Sequence, residues 1–359
     1  MSALRVEIER LIAVEGPMTV ERYMALCLGH PVYGYYRTRD PLGPRGDFTT
    51  APEISQMFGE LIGLWAAEVW RAMGDPSPVR LVELGPGRGT LMADALRAAR
   101  VLPAFRSATA VHLVETSPAL RARQEAALAP AGAPVSWHGD LAEVPDGPAI
   151  VIANEFFDAL PIRQFVGTER GWCERLVGLS EGGLAFGLAP EPARDVPLPV
   201  RPGATLEWPA AGVAVMGTLA ARLAAQGGAA LVIDYGHARR AFGDTLQAVR
   251  DHAYADPLAD PGEADLTAHV DFEMLADATR AGGANTWGPV TQGGFLTALG
   301  IRERAAMLRQ RATPEQAADI DGAVQRLIGE TEMGTLFKVL ALTGPGQDAP
   351  AGFEPPGQP

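Results

Sequence analysis

A chain of 359 residues exceeds one minimal domain and fits one elaborated α/β domain or two modest ones. Its composition, 47% hydrophobic and 20% charged, excludes a disordered chain. A formal charge of -13 excludes a general nucleic-acid binder, because nothing offsets phosphate repulsion.

Residues 3–14 carry Leu4, Ile8, Leu11 and Ile12 on one helical face, without the basic and continuous apolar parts of a signal peptide. Thr19 is placed to cap a second helix over residues 20–28. A Gly/Pro/Tyr-rich stretch follows over residues 30–55. A helix over residues 55–73 then shows a broad apolar face of Phe58, Leu61, Ile62, Trp65, Val69 and Trp70. The run Gly74-Asp75-Pro76-Ser77-Pro78 stops it, so residues 1–75 read as an N-terminal helical and loop segment. From Val79 onward short apolar runs at 80–84, 110–115, 135–137, 149–153 and 229–234 alternate with helical stretches at 89–101, 117–129 and 210–226. Buried strands joined through helices make a mostly parallel, doubly wound sheet, the Rossmann-like α/β class. A last strand covers residues 336–342. Insertions near 163–209 (β-rich) and 240–275 (turns, a hairpin and a helix from Asp271) interrupt the 76–343 domain, and the tail 344–359 is too poor in apolar residues to pack.

Cys27 and Cys173 are too few for a disulfide framework, and no Cys/His pair has ligand spacing, so no metal is expected. No run of 18 apolar residues occurs, so no membrane span is expected. Together these features predict a protein of a reducing compartment, the cytoplasm.

The segment LVELGPGRGTL, residues 81–91, ends a buried strand in glycines and begins a helix at once. Gly85, Gly87 and Gly89 let the backbone pass close beneath a ligand, because no Cβ intervenes. The spacing is G-x-G-x-G, with Thr90 where the dinucleotide fingerprint needs its third glycine. Glu83, two residues before the first glycine, repels a pyrophosphate but attracts the sulfonium and ammonium of S-adenosylmethionine. Glu115, ending the second strand, suits the ribose hydroxyls. Asp140, after the third, suits the adenine amino group or caps a turn. The fourth strand runs into Asn154, Glu155 and Asp158 among aromatics, and its carboxyl end faces the reacting part of a ligand bound at the switch point.

In chain order, His30-Pro31 with Gly34-Tyr35-Tyr36, GDFTTAPEI at 46–54, ELGPGRGTL at 83–91, NEFFDALP at 154–161, IDYG at 233–236 and DLTAHVDF at 265–272 form one set. Thr291-Gln292 before Phe295-Leu296, and Met333-Gly334 before Phe337-Lys338-Val339, complete it. With this set the chain, from about His30 to Val339, resembles the MidA-like class I S-adenosylmethionine-dependent methyltransferases. The mitochondrial member of that family is a protein arginine methyltransferase that assists respiratory complex I assembly. The resemblance implies an arginine-containing protein substrate, in mitochondria a complex I core subunit that is symmetrically dimethylated. With no presequence ahead of the first helix, the chain reads as a cytoplasmic bacterial relative.

A carboxylate fork can hold a planar guanidinium, and Glu155 and Asp158, flanked by Asn154, are the expected clamp. Asp47 and Thr49 are expected to close over the methionine moiety, against a plain alternative in which Thr50 and Glu53 form a capping box. The rival functions are a nucleotide-dependent oxidoreductase, a donor-binding assembly factor with little catalysis, and a small-molecule methyltransferase.

Overall fold

The computed structural model describes residues 2–38 and 49–353, so Asp47 lies outside the described residues. The chain forms two compact units: Met1–Phe48 with Asp158–Ala214 and Arg239–Asp271, and Thr49–Phe157 with Val215–Ala238 and Phe272–Pro359.

The second unit is built on a sheet of β1 (Val79–Leu84), β2 (Thr109–Val114), β3 (Val135–His138), β4 (Ala149–Asn154), β5 (Gly228–His237), β6 (Asn285–Thr291) and β7 (Phe337–Thr343). Their spatial order is β3-β2-β1-β4-β5-β7-β6. The ladders from β3 to β5 are parallel, whereas β7 runs antiparallel to both β5 and β6. Ile150, Val151, Ile152 and Ala153 of β4 are all fully buried. A strand covered on both faces needs such a continuous apolar run, not an alternating one. The reversal in strand order falls between β1 and β4, whose C-terminal ends therefore border the crevice where ligands bind in this architecture.

The helix Gln56–Ala72 begins where the Ser55 hydroxyl accepts the Met57 N–H (3.2 Å) and buries Phe58, Leu61, Ile62, Trp65 and Trp70 in the core. A Cβ at Gly63 would lie 2.5 Å from Ala95 Cα, so the glycine is what lets this helix cross Thr90–Ala98 backbone to backbone. The four strands at β1, β2, β4 and β5 and the helices after β1 and β2 form within a few residues of their predicted places.

In the first unit, Gly171–Ser180 pairs antiparallel with Arg163–Thr168, Gly183–Pro192 and Met18–Thr19, while Thr205–Trp208 extends the sheet beyond Arg163–Thr168. The helices Ala3–Glu15 and Val20–Gly29 pack Leu4, Ile8, Tyr23 and Met24 with Ile162, Val177, Ala248 and Leu266.

Three expectations differ from this structure. The predicted division at residue 75 is replaced by one at Thr49, since the apolar face of Gln56–Ala72 packs on the sheet whereas the first two helices pack with the inserted strands. The strand β6 and the helices Gln292–Ala298, Ile301–Arg309 and Pro314–Ile328 were not predicted, and β6 carries Gly288-Pro289 with a register shift between Trp287 and Val290, which breaks its pattern. The tail was expected to be unpacked from Gly344. Instead the Trp65 indole donates to the Ala351 carbonyl (3.2 Å), and Phe353 is buried against Phe295, their rings 5.4 Å apart. One aromatic at the right place suffices to anchor a short segment that is polar on average.

Candidate active site

The glycine loop leaves β1 with Gly85, Gly87 and Gly89 at φ of 62°, 53° and 82°, the left-handed region that side chains with a Cβ avoid. A Cβ on Gly85 would meet the Phe156 ring at 2.9 Å. The helix Thr90–Ala98 starts directly after it, leaving backbone N–H groups at its amino end. Gln124 secures the loop: its amide donates to the Gly87 carbonyl (2.8 Å) and to Glu115 Oε2 (3.2 Å), while its oxygen accepts from the Trp137 indole (2.9 Å). Glu115 Oε1 accepts the Ser117 N–H (2.7 Å), so this carboxylate is oriented at both oxygens. Sequence reasoning missed Gln124, because a glutamine inside an ordinary helix sends no signal until the turn it faces is known.

The segment ahead of the long helix also comes to this loop. Thr50 precedes Ala51–Ile54 but makes no side-chain cap, so the predicted capping box does not form. Glu53 instead accepts from the Thr90 hydroxyl (2.5 Å) and lies 3.6 Å from the Arg88 guanidinium. Thr49 is half-buried at the start of the same segment. The Asp140 carboxylate accepts the Ala142 N–H (2.8 Å) and caps a short turn, one of its two expected roles.

At the C-terminal ends of β1 and β4 two buried acceptors stand unsatisfied. Glu83 Oε2 and Asn154 Oδ1 have no hydrogen-bond partner among the described residues. Glu83 is in register with Ile152, and Asn154 lies two residues further along β4, so both project from one face of the sheet. Burial pushes the Glu83 carboxyl up to about 8. Buried acceptors without donors are rare, and this pair is suited to a cationic, donor-rich ligand group.

Glu155 follows at φ 50°, an uncommon conformation for a residue that is not glycine. Its N–H makes the last rung to the Ile233 carbonyl (2.9 Å). Its Oε1 accepts from the Ala51 N–H (2.8 Å) and from Asn154 Nδ2 (3.0 Å). Glu155 therefore meets the Ala51–Ile54 segment, which through Glu53 also holds the glycine loop. Asp158 belongs to the other unit. There its carbonyl accepts the Ala268 N–H (3.0 Å), and after burial and Asp265 it helps raise the Tyr36 hydroxyl pKa.

Among the histidines, His138 has a partner that the sequence did not reveal: its Nε2 lies 2.9 Å from His112 Nδ1 across neighbouring strands. Burial, then His138, lowers the His112 pKa to about 4. His30 accepts the N–H groups of Val32 and Tyr33 and stacks on the Tyr33 ring at 5.3 Å, and Tyr35 is fully buried, so this motif packs as an aromatic turn. The described residues hold no cluster suited to a metal ion and no helix long and apolar enough to cross a membrane.

A doubly wound sheet with one reversed strand, a G-x-G-x-G loop and carboxylates at the ends of β1 and β2 defines a class I methyltransferase. Residues 61–290 match the family model described as "Putative S-adenosyl-L-methionine-dependent methyltransferase", and the chain belongs to that family. It is 39% identical over 376 residues to the Drosophila melanogaster protein arginine methyltransferase NDUFAF7 homolog, mitochondrial, covering 95% of this chain and 84% of that one. To human protein arginine methyltransferase NDUFAF7, mitochondrial, it is 38% identical over 357 residues, covering 91% and 80%. A Burkholderia thailandensis protein solved with S-adenosyl-homocysteine superposes with a TM-score of 0.84 at 32% identity, covering 98% of this chain and 94% of that one. The methyl donor is thus S-adenosylmethionine, and the residues around Glu83 and Asn154 fit its cationic methionine end. The expected cytoplasmic placement is corrected: the relatives are described as mitochondrial proteins. Two unpaired, buried cysteines do not separate one compartment from another.

Proposed function

We propose that this protein methylates an arginine guanidinium of a protein substrate, with Glu155 and Asn154 at the acceptor and the glycine loop with Glu83, Thr90, Glu115, Thr49 and again Asn154 at the donor. The observation that carries this reading is the Glu155 carboxylate, aimed by two donors and held at positive φ beside the donor loop. When bound, S-adenosylmethionine supplies an electrophilic methyl on a cationic sulfur. Glu155 pairs with the guanidinium and localises electron density on the attacking nitrogen. Glu155 would hold the nitrogen towards the methyl, the electron pair of the broken C–S bond would stay on sulfur, and the proton lost by the nitrogen would pass to solvent. Positioning supplies much of the rate, which suits a carboxylate with little freedom. Asp140 completes the donor assignment, at the adenine end.

The likeness to the arginine methyltransferases supports a protein acceptor, and the resemblance to the MidA-like family supports a respiratory complex I subunit as that acceptor. Methyl-labelled S-adenosylmethionine with lysate from a strain lacking this gene tests the reading. One labelled protein band whose label resides in methylarginine is expected. Label confined to small molecules would overturn it.

Glu83 makes the donor side dependent on pH. Its raised pKa means that the folded chain keeps the carboxyl neutral up to about 8, whereas the unfolded chain ionises it near 4.5. Its contribution to stability is therefore complete below the unfolded value and is lost as pH rises towards 8. A cationic donor favours the ionised form, so binding releases a proton and affinity rises as pH increases towards about 8. Calorimetry in buffers of different ionisation enthalpy should detect that proton, up to about one per donor bound near neutral pH, and Glu83→Gln should abolish it.

A further inference from the structure

We propose that Asp234 is a positioning residue for Glu155. The inference rests on the reading that Glu155 acts at the acceptor. Asp234, on β5 next to β4, is fully buried, and its carboxylate accepts three backbone N–H groups. Oδ2 accepts from Phe156 (3.2 Å) and Phe157 (2.9 Å), and Oδ1 from Tyr235 (2.9 Å).

The course of the chain explains why a carboxylate is needed there. The Glu155 N–H still bonds the Ile233 carbonyl, so the ladder between β4 and β5 continues to that residue. The backbone then turns left-handed at Glu155, and the next two N–H groups leave the ladder. Buried N–H groups without acceptors are costly, and a carboxylate one residue beyond Ile233 takes both. It thereby fixes the direction in which the chain departs, which in turn fixes where the Glu155 side chain points. The departing residues are locked further on: the Phe156 ring fills the space over Gly85, and Phe157 is buried against it, their rings perpendicular at 5.4 Å.

Glycine would adopt φ 50° without strain, and its absence at 155 indicates that this side chain is wanted in a conformation that the backbone resists. Asp234 supplies the restraint from below the turn, and the Ala51 N–H holds the carboxylate from the other end. Asp234 is not itself assigned to substrate, and its influence on rate passes through Glu155.

A double-mutant cycle tests this. Asp234→Asn keeps the size but sets an amide N–H against a backbone N–H. In the native background it should slow label transfer from methyl-labelled S-adenosylmethionine to the acceptor band roughly 100-fold, with calorimetric donor affinity within about threefold. In a Glu155→Gln background the same substitution should cost less than about threefold, because there is no longer an aimed carboxylate to lose. Equal losses in both backgrounds overturn the proposal and leave Asp234 a structural residue. Full activity of Glu155→Gln alone removes the reading of Glu155, a separate and visible failure. Asp234→Glu, which keeps the charge and displaces it by one methylene, serves if the asparagine variant does not fold, with the same non-additivity expected. Independently of any acceptor, a crystal structure of either variant should show Glu155 out of the left-handed region and its bond from the Ala51 N–H lost. An unmoved Glu155 overturns the proposal.

Discussion

Glu155→Gln should lower the rate of methyl transfer roughly 10²–10³-fold while leaving donor affinity within about threefold. The substitution keeps the shape of the side chain and an oxygen that can still accept from Ala51 and Asn154, so the turn is expected to survive. What disappears is the negative charge facing a group that is always cationic. A preorganised charge in a partly dehydrated site is worth far more than one in water, because it needs no reorganisation during the reaction. The proposed donor contacts on the glycine loop and Glu83 are not altered by the change, and Asn154 keeps an oxygen to donate to at position 155. The split between rate and affinity distinguishes a catalytic carboxylate from a binding one. Equal rates in the two proteins would remove Glu155 from the mechanism and favour a donor-binding assembly factor.

Glu60→Ala should destabilise the protein by about 2–4 kcal/mol and lower its melting temperature by roughly 3–6 °C, measured by calorimetry. Glu60 is buried on the helix Gln56–Ala72, where it accepts from Arg304 Nε (2.8 Å), the Arg304 terminal nitrogen (3.1 Å) and Arg97 (3.1 Å). Arg97 also pairs with Asp94 at 2.5 Å, so one acid joins three helices of the sheet unit. Removing it leaves two guanidinium groups facing each other without their shared counter-charge. Both are part-exposed, at 43% and 31%, and water screens them, which keeps the estimate below that for a fully buried pair. A loss below about 0.5 kcal/mol would show that solvation of the arginines replaces the network.

The resemblance, the fold class and the methyl donor were all legible in the sequence. Apolar runs punctuated by glycine report strands and the turns between them, since burial and left-handed backbone each select residue types locally. The glycine loop with Glu83 could therefore be read without coordinates, as could the carboxylates after β4. The role of Glu53 could not: its spacing from Thr50 matched a cap, and only the approach of the glycine loop offered it Thr90 and Arg88 instead. Gln124 and Glu60 were invisible for the same reason, and Asp234, though within the noted IDYG motif, showed no role. Each makes at least one bond across 37 or more residues of chain, and a side chain's distant partners are not encoded in its neighbours.

The sequence by itself determined the elements that depend on nearby residues: the order of strands and helices in the α/β core, the loop that leaves β1, and the acidic residues that end β1, β2 and β4. Tertiary structure decided which of these meet. It divided the chain at Thr49 and not at residue 75, packed Phe353 into a core that its surroundings do not announce, and brought the Ala51 N–H to the Glu155 carboxylate. Local conformation follows from sterics and burial over a few residues, whereas a contact between distant residues exists only once the sheet has set them side by side.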